Sequence, residues 1–293
     1  MDERGALVSS WAGLASHLIG EYFDSCKHLN DKDYTGLHPL VRFVSAQLFI
    51  ACHLTSESVL LLAKLDKAWD ADILCRSVIE GTAKYSYILY GSDQSTWTDR
   101  CHEYWHLHPA IMLKKDCARA AKLKVQFPEN GSIKNKHYKP LDDMVSMGQG
   151  YSDLWDSTTK KERKDLDNTW SFGGILEHHD SHNETNNPLK GSLYYYGLSC
   201  HQSHMDGIGI ANIWGRYRRE PERQAAITLA HQARIIGDIS AYSKIRAITL
   251  KNACREPLED ILNIEQRYSI LFDGLSAAYD NFHSVEYEES TDK

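Results

Sequence analysis

Apolar side chains recur at steps of three and four residues along most of this 293-residue chain. The first run puts its members on one face of a helix over residues 4–28: Leu7, Trp11, Leu14, Leu18 and Tyr22. No stretch alternates apolar and polar residues for long enough to predict a β-strand. The sequence therefore predicts an all-α protein.

Later helices are located by the same spacing and by residues that begin helices. Their predicted starts are Pro39, Thr55 or Ser56, Asp70 or Asp72, and Thr96, with an interruption at Pro109. A charged helix is predicted over 158–166, and three long helices over 192–214, 221–249 and 258–283 close the chain. We expect a single-domain multi-helix bundle over 1–285 with a long irregular insertion around 125–190. A disordered acidic tail is expected over 286–293.

Composition and charge restrict the class of protein further. The net charge of -7 and the pI of about 6.1 argue against a nucleic-acid binder, because phosphate contacts need a basic surface. Residues 1–4 lack the basic start of a secretion signal, and the apolar runs 46–54 and 59–65 are shorter than the roughly 20 residues of a membrane span. The seven cysteines form no CxxC pair. We therefore expect a cytoplasmic protein with reduced thiols and no membrane partner.

Residues 102–106 read HExxH, the one short motif whose spacing matches a specific chemistry. On a helix His102 and His106 share a face, so both imidazoles can bind one divalent metal ion, with zinc as the first choice. Glu103 would then accept a proton from the metal-bound water, whose pKa falls to about 7. The motif predicts a metal-dependent hydrolase of phosphoester or amide bonds.

Two observations weaken this prediction. With 15 histidines in the chain, an HExxH arises by chance in roughly one such composition in twenty. The extended HExxHxxGxxH pattern fails, because Pro109 stands at the glycine and Met112 at the third histidine. The alternative is a half-exposed helical face with Tyr104 and Trp105 partly buried.

Further candidate residues come in pairs at helical spacing. Arg76 and Glu80 share a face, either as an ion pair that braces two helices or as an anion clamp beside a metal ligand or general base. His201 and His204 share a face of a late helix, as metal ligands or as histidines that line a polar gap. The histidine-rich segment 177–182 is either a solvated loop or the source of a third metal ligand or a lid.

Together these residues match the sets that helical bundles use to hold one or two metal ions. Glu80 supplies a carboxylate, Glu103 and His106 a Glu-x-x-His pair, and His201 and His204 a His-x-x-His pair. Under this interpretation Glu103 is a metal ligand instead of the general base.

Several stretches stand in a characteristic order along the chain. Residues 74–80 (LCRSVIE) are followed by two tyrosines, Arg100 and Tyr104 come next, then Trp170 in a turn, and finally residues 196–199 (YGLS) with histidines just after them. Over about residues 50–215 this arrangement resembles the bacterial family catalogued as domain of unknown function 5677. The resemblance implies a helical fold, often in small cytoplasmic proteins, without an established activity.

The chain departs from that family pattern at one position. The pattern has a histidine four residues after its serine, where this chain has Ser203, with His201 and His204 on either side. The HExxH motif does not belong to the family pattern.

Three functions follow from these features. The first is a metal-dependent hydrolase with Glu103 or Glu80 as the base and Arg76 or Arg100 as the anion stabiliser. The second is a non-enzymatic helical module of a bacterial defence or toxin system, which binds a partner or a nucleotide-like small molecule. It requires that the polar residues saturate one another and that the surface carries an apolar patch. The third is a metal-independent ribonuclease of the HEPN class, in which Arg100 and His106 act across a homodimer interface.

Overall fold

The structure is a computed structural model that describes residues 3–91, 93–126, 139–149, 155–181 and 189–287. Every regular element in these ranges is a helix, which confirms the all-α fold class. Contacts divide the chain into two compact units, Met1–Ser92 with Leu176–Lys293, and Asp93–Ile175. The single domain over 1–285 stays a prediction.

The helices follow one another with short connections. In chain order they are α1 (Glu3–Cys26), α2 (Pro39–Lys64), α3 (Ala68–Ile88), α4 (Gln94–His102), α5 (His108–Gln126), α6 (Lys139–Gln149), α7 (Lys160–Thr169), α8 (Phe172–Ser181), α9 (Ser192–Ser203), α10 (Gly207–Tyr217), α11 (Pro221–Cys254), α12 (Glu259–Arg267) and α13 (Ser269–Tyr287). A 3-10 turn, Lys27–Asn30, follows α1, and a π turn, Glu103–Leu107, lies between α4 and α5. The predicted closing helices 192–214 and 258–283 are each divided into two.

The first unit is built around α11, the longest described helix with 34 residues. It packs against α1, α2, α3 and α13. Its aliphatic side chains fill the core: Ala233, Ile235, Ile236, Ile239, Ala247 and Leu250. Burial of each large aliphatic side chain contributes about 1.5–3 kcal/mol, so α11 holds the unit together.

Arg246 of α11 lies inside this core with 2% of its surface exposed. Its Nη1 donates to Thr82 Oγ1 at 2.7 Å, and its Nη2 donates to Ser243 Oγ at 3.0 Å. Burial lowers the pKa of this guanidinium, because the charged form has lost its water. The hydrogen bond to Thr82 fixes α3 against α11, the helices that carry Asp72, His231 and Arg234 of the charged cavity described below.

Helix α2 is continuous, so the predicted helix start at Thr55 or Ser56 is wrong. Thr55 Oγ1 donates to the carbonyl of Ala51 at 2.9 Å, and Ser56 Oγ donates to the carbonyl of Cys52 at 2.7 Å. Hydroxyls bonded one turn back in this way do not interrupt a helix.

The apolar runs 46–54 and 59–65 consequently fall on one helix and its C-cap. Among the described residues, α2 is the helix whose length and composition would allow it to cross a membrane. Its most apolar stretch of 18 residues has a mean hydropathy of 1.4, and 39% of that stretch is buried. Core helices of soluble proteins pass the same test.

The predicted interruption near Pro109 is confirmed in the second unit. Proline has no N–H to continue the ladder, and the N–H of His108 instead donates to the carbonyl of Glu103, five residues back. The predicted charged helix at 158–166 is also present as α7, which Thr159 and Glu162 begin with a capping box.

Within residues 125–190 the described ranges hold the short helices α6, α7 and α8. The segment 177–182 belongs to α8 as far as Ser181, and the remaining residue lies outside the described ranges, as do 288–293. Glu286 and Tyr287 end α13, and Glu286 forms an ion pair with Arg219. The predicted tail is therefore wrong for these two residues.

Candidate functional site

The HExxH residues lie in the second unit, where α4 ends and the π turn begins. The rings of His102 and His106 have their centroids 5.4 Å apart, and both residues are exposed. Glu103 accepts a hydrogen bond from Trp170 Nε1 at 3.2 Å. The motif does not lie on a regular α-helix, because the π turn replaces the i→i+4 ladder there. The two histidines nevertheless remain side by side.

Arg100, the predicted anion stabiliser, lies in the last turn of α4 in the second unit, and the other two predicted metal ligands, His201 and His204, belong to the first unit. Among the residues that the structure describes, no group of three or more His, Cys, Asp or Glu side chains could hold a metal ion. Zinc sites in proteins use three or four protein ligands. The divalent metal stays a prediction that rests on His102 and His106.

Arg76 and Glu80 of α3 are bound by their neighbours in the first unit. Arg76 donates to Ser203 Oγ at 3.1 Å and to Tyr196 Oη at 3.4 Å. Glu80 accepts from Tyr196 Oη at 3.4 Å and from Lys84 Nζ at 2.6 Å. Arg76 and Glu80 are thus joined through Tyr196, while Nε of Arg76 is buried and has no acceptor among the described residues.

The prediction that His201 and His204 share a helical face is wrong. Helix α9 ends before His204, and Asp206 begins α10, because its Oδ1 accepts from the N–H groups of Ile208 and Gly209, both at 3.0 Å. His201 Nδ1 lies 2.6 Å from Asp206 Oδ2, and this hydrogen bond lowers the pKa of the Asp206 carboxyl. His201 therefore supports the helix cap.

A different set of polar residues lines a cavity of about 360 Å³ in the first unit. Its walls come from α3, α9, α10, α11 and α13. The aromatic lining residues are Trp69, Tyr194, Tyr195, Tyr279 and Phe282. The charged or titratable lining residues are Asp72, Arg216, Arg219, His231 and Arg234.

A continuous chain of hydrogen bonds runs along this cavity. Arg216 Nη1 lies 2.8 Å from His231 Nδ1, and His231 Nε2 lies 3.1 Å from Asp72 Oδ2. Arg234 donates to Asp72 Oδ1 at 2.7 Å and to Asp238 Oδ2 at 2.8 Å. A guanidinium only donates, so Nδ1 of His231 accepts and Nε2 carries the proton that binds Asp72.

Burial and hydrogen bonding set the protonation states of the residues in this hydrogen-bond network. Burial alone would raise the pKa of Asp72, but the hydrogen bond from His231 and the charge of Arg234 outweigh it and hold this pKa at about 2. Burial lowers the pKa of His231, which favours the neutral ring that the geometry requires. Burial raises the pKa of Asp238 to about 6, although Arg234 opposes this shift.

Arg216 is the member of this hydrogen-bond network that has no carboxylate partner. Its guanidinium lies over the ring of Trp69, 4.3 Å from the centroid, and burial lowers its pKa to about 10. Its Nε is buried, and the described residues provide no acceptor for it. Nη1 is directed to His231, and the edge formed by Nε and Nη2 takes no part in that contact. That edge binds carboxylate or phosphate oxygens in bidentate fashion.

The sequence did not reveal this arrangement. The sequence predicts Asp72 only as a possible helix start, and Arg216 is not among the predicted site residues. The available signal was the spacing of His231, Arg234 and Asp238, which puts three titratable or charged residues on one face of a helix, next to buried alanines and isoleucines.

The fold and the site define an all-α protein with a charged cavity between helices. Comparison with protein-family models, with curated proteins and with solved structures finds no match for the chain. The resemblance to domain of unknown function 5677 stays a prediction. Two of the stretches that carry it meet in space, since Arg76 contacts Tyr196 and also Ser203, which stands where the family pattern has a histidine.

Proposed function

We propose that the protein is a non-enzymatic helical module that binds a small anionic ligand in the cavity beside Arg216. The observation that carries the proposal is the half-buried guanidinium of Arg216, whose buried Nε has no acceptor among the described residues. Leaving a buried donor unsatisfied costs about 1–3 kcal/mol, and more for a charged group. A carboxylate or phosphate bound by the Nε and Nη2 edge removes this cost.

The remaining walls indicate what the anion is attached to. Tyr194, Tyr279 and Phe282 surround the cavity with aromatic surface, and the volume of about 360 Å³ is at the small end of known ligand pockets. Aromatic side chains favour stacking or edge contacts with another ring. We therefore propose a ligand with one planar ring and one carboxylate or phosphate group.

Two features support binding over catalysis. Both ring nitrogens of His231 are engaged, one with Arg216 and the other with Asp72, so this ring is not placed to accept a proton from a ligand. Glu80, which with Glu103 is one of the two predicted bases, accepts hydrogen bonds from Lys84 and Tyr196.

Calorimetric titration with phenyl phosphate, benzoate, AMP and inorganic phosphate tests the proposal. We expect a ring-bearing probe to bind more tightly than inorganic phosphate and to lose at least about tenfold in affinity in Arg216→Gln, because hydrogen bonds to a charged group contribute roughly 1.5–3 kcal/mol. Arg216→Lys keeps the charge but loses the two-donor edge, so it should also bind weakly. Arg218→Gln is the matched control, since Arg218 is exposed at the end of the same helix.

The proposal fails if none of the four probes binds, or if Arg216→Gln and Arg218→Gln bind them equally. Melting curves of each variant show whether a lost affinity reflects a lost fold. The hydrolase and ribonuclease hypotheses stay predictions, based on His102 with His106 and on Arg100 with His106.

A further inference from the structure

Gln202 of α9 lines the charged cavity and, like Arg216, has a buried polar atom without a partner. Gln202 exposes 6% of its surface, and the described residues provide no donor for its Oε1. Tyr195 and Leu198 stand seven and four residues earlier on the same face of α9 and line the same cavity. The face of α9 that carries Gln202 is therefore the one directed to the cavity.

A buried acceptor oxygen without a donor needs an explanation, because it has left water without gaining a new hydrogen bond. Other side-chain amide and carboxylate oxygens among the described residues are in the same state: Asn30 Oδ1, Gln232 Oε1 and Glu286 Oε2. These three residues do not line the cavity. Gln202 differs from them because it borders a space of about 360 Å³, which is large enough for a small molecule.

Gln202 and Arg216 have complementary hydrogen-bonding needs. They belong to α9 and α10, two helices that contact each other. Nε of a guanidinium only donates, whereas Oε1 of a glutamine only accepts. Neither atom has a partner among the described residues, so they do not bond to each other. A molecule that satisfies both must carry an acceptor for Arg216 and a donor for Gln202.

We propose that the ligand of this cavity is an aromatic acid that also carries an O–H or N–H group, and that this group donates to Gln202 Oε1. The contact rests on the proposed anion site beside Arg216, which holds the acid group. Gln202 then determines specificity, because an analogue without the donor leaves the amide oxygen unpaired in the complex.

Calorimetric titration compares benzoate with the three positional isomers of hydroxybenzoate and of methoxybenzoate. We expect at least one hydroxybenzoate to bind roughly threefold to tenfold more tightly than benzoate, which is the gain from one hydrogen bond between uncharged groups. The corresponding methoxybenzoate keeps the oxygen and has no donor, so it should bind no more tightly than benzoate.

Gln202→Met keeps the length of the side chain and removes the amide. We expect this variant to lose the preference for hydroxybenzoate and to keep the affinity for benzoate. Its melting temperature should be no lower than that of wild type, because the substitution removes an oxygen that has no partner.

Gln232→Met is the matched control. Gln232 is 1% exposed and lies outside the cavity, and its Nε2 donates to Asp66 Oδ1 at 2.6 Å. This variant should melt at a lower temperature than wild type, because it loses that hydrogen bond, and it should keep the preference for hydroxybenzoate.

Several results would overturn the proposed contact and leave the anion site intact. Equal affinities for benzoate and every hydroxybenzoate would assign Gln202 Oε1 to a bound water molecule. A methoxybenzoate that binds more tightly than its hydroxybenzoate would show that Gln202 presents its amide N–H groups. A preference for hydroxybenzoate that survives in Gln202→Met would give the donor another partner. If instead no probe binds, or if Arg216→Gln binds them as tightly as wild type does, the anion site itself is wrong.

Discussion

Nη1 of Arg216 lies 2.8 Å from Nδ1 of His231, so a permanent cation on α10 uses a neutral ring on α11 as its acceptor. Buried charges are usually paired with an opposite charge. Here the carboxylate of Asp72 is on the far side of the imidazole, bound to its other nitrogen. Arg216 is therefore linked to Asp72 only through the ring of His231, whereas Arg234 contacts the same carboxylate directly.

Asp72→Asn should lower the free energy of unfolding by about 3 kcal/mol. Asp72 accepts from both His231 and Arg234, and removing one partner of a buried ion pair typically costs about 3–5 kcal/mol. Asparagine keeps one acceptor oxygen, so we expect the loss in free energy of unfolding to fall at the lower end of that range. Urea unfolding monitored by circular dichroism measures it. Asp70→Asn, on an exposed residue of the same helix, is the control and should change stability by less than about 1 kcal/mol.

Asp238 should make the protein less stable as the pH rises from about 4 to 6. Its pKa is about 6 in the folded protein and about 3.9 in the unfolded chain, so the folded state binds the proton more tightly. The stabilisation is complete below pH 4 and is lost as the pH passes through 6. Asp72, whose pKa is about 2, contributes constantly over this window because its effect is lost only in stronger acid.

The difference between wild type and Asp238→Asn isolates this effect. Asparagine can still accept from Arg234 but does not titrate. We expect the difference in free energy of unfolding between the two proteins to change by roughly 2–3 kcal/mol between pH 4 and pH 7. A difference that does not vary with pH would show that Asp238 has an ordinary pKa.

Gly209→Ala should destabilise the first unit by roughly 1–3 kcal/mol. A Cβ at this position would lie 2.4 Å from the carbonyl oxygen of His201, which belongs to the backbone of α9 and cannot rotate away. Gly207→Ala is the control in the same helical turn, since no atom lies within 4 Å of its Cβ position. Thermal melting of both variants measures the effect, and equal melting temperatures would mean that α9 and α10 are not in close contact.

Zinc binding by HExxH should be weak. Among the described residues, His102 and His106 are the candidate ligands brought together there, whereas zinc sites use three or four protein ligands. After incubation with zinc and desalting, we expect well below one zinc per chain, with the same content in His102→Ala. One zinc per chain in wild type that is absent from His102→Ala would instead support the metal-dependent hydrolase.

The sequence predicted the all-α class because the spacing of apolar residues depends only on local geometry. It missed the break between α9 and α10 because apolar residues continue at helical spacing through Asp206, and only the backbone reveals that Asp206 is a cap. It missed the cavity because Asp72, Arg216 and His231 come from three helices far apart in the chain. Helical spacing shows which residues share a face and does not show which faces meet.

Helices α10 and α11, which carry Arg216 and His231, are buried to different extents, and this difference affects how a ligand enters the cavity. Helix α11 is buried along most of its length, whereas Gly209 is the buried residue of α10. Amide protons in the middle of α11 should exchange with deuterium only on global unfolding, while those of α10 should exchange through local opening. Hydrogen-exchange mass spectrometry would reveal this difference, and slow exchange in both helices would contradict it. We expect the cavity to admit its ligand by outward movement of α10, the side that carries the guanidinium, over a rigid floor formed by α11.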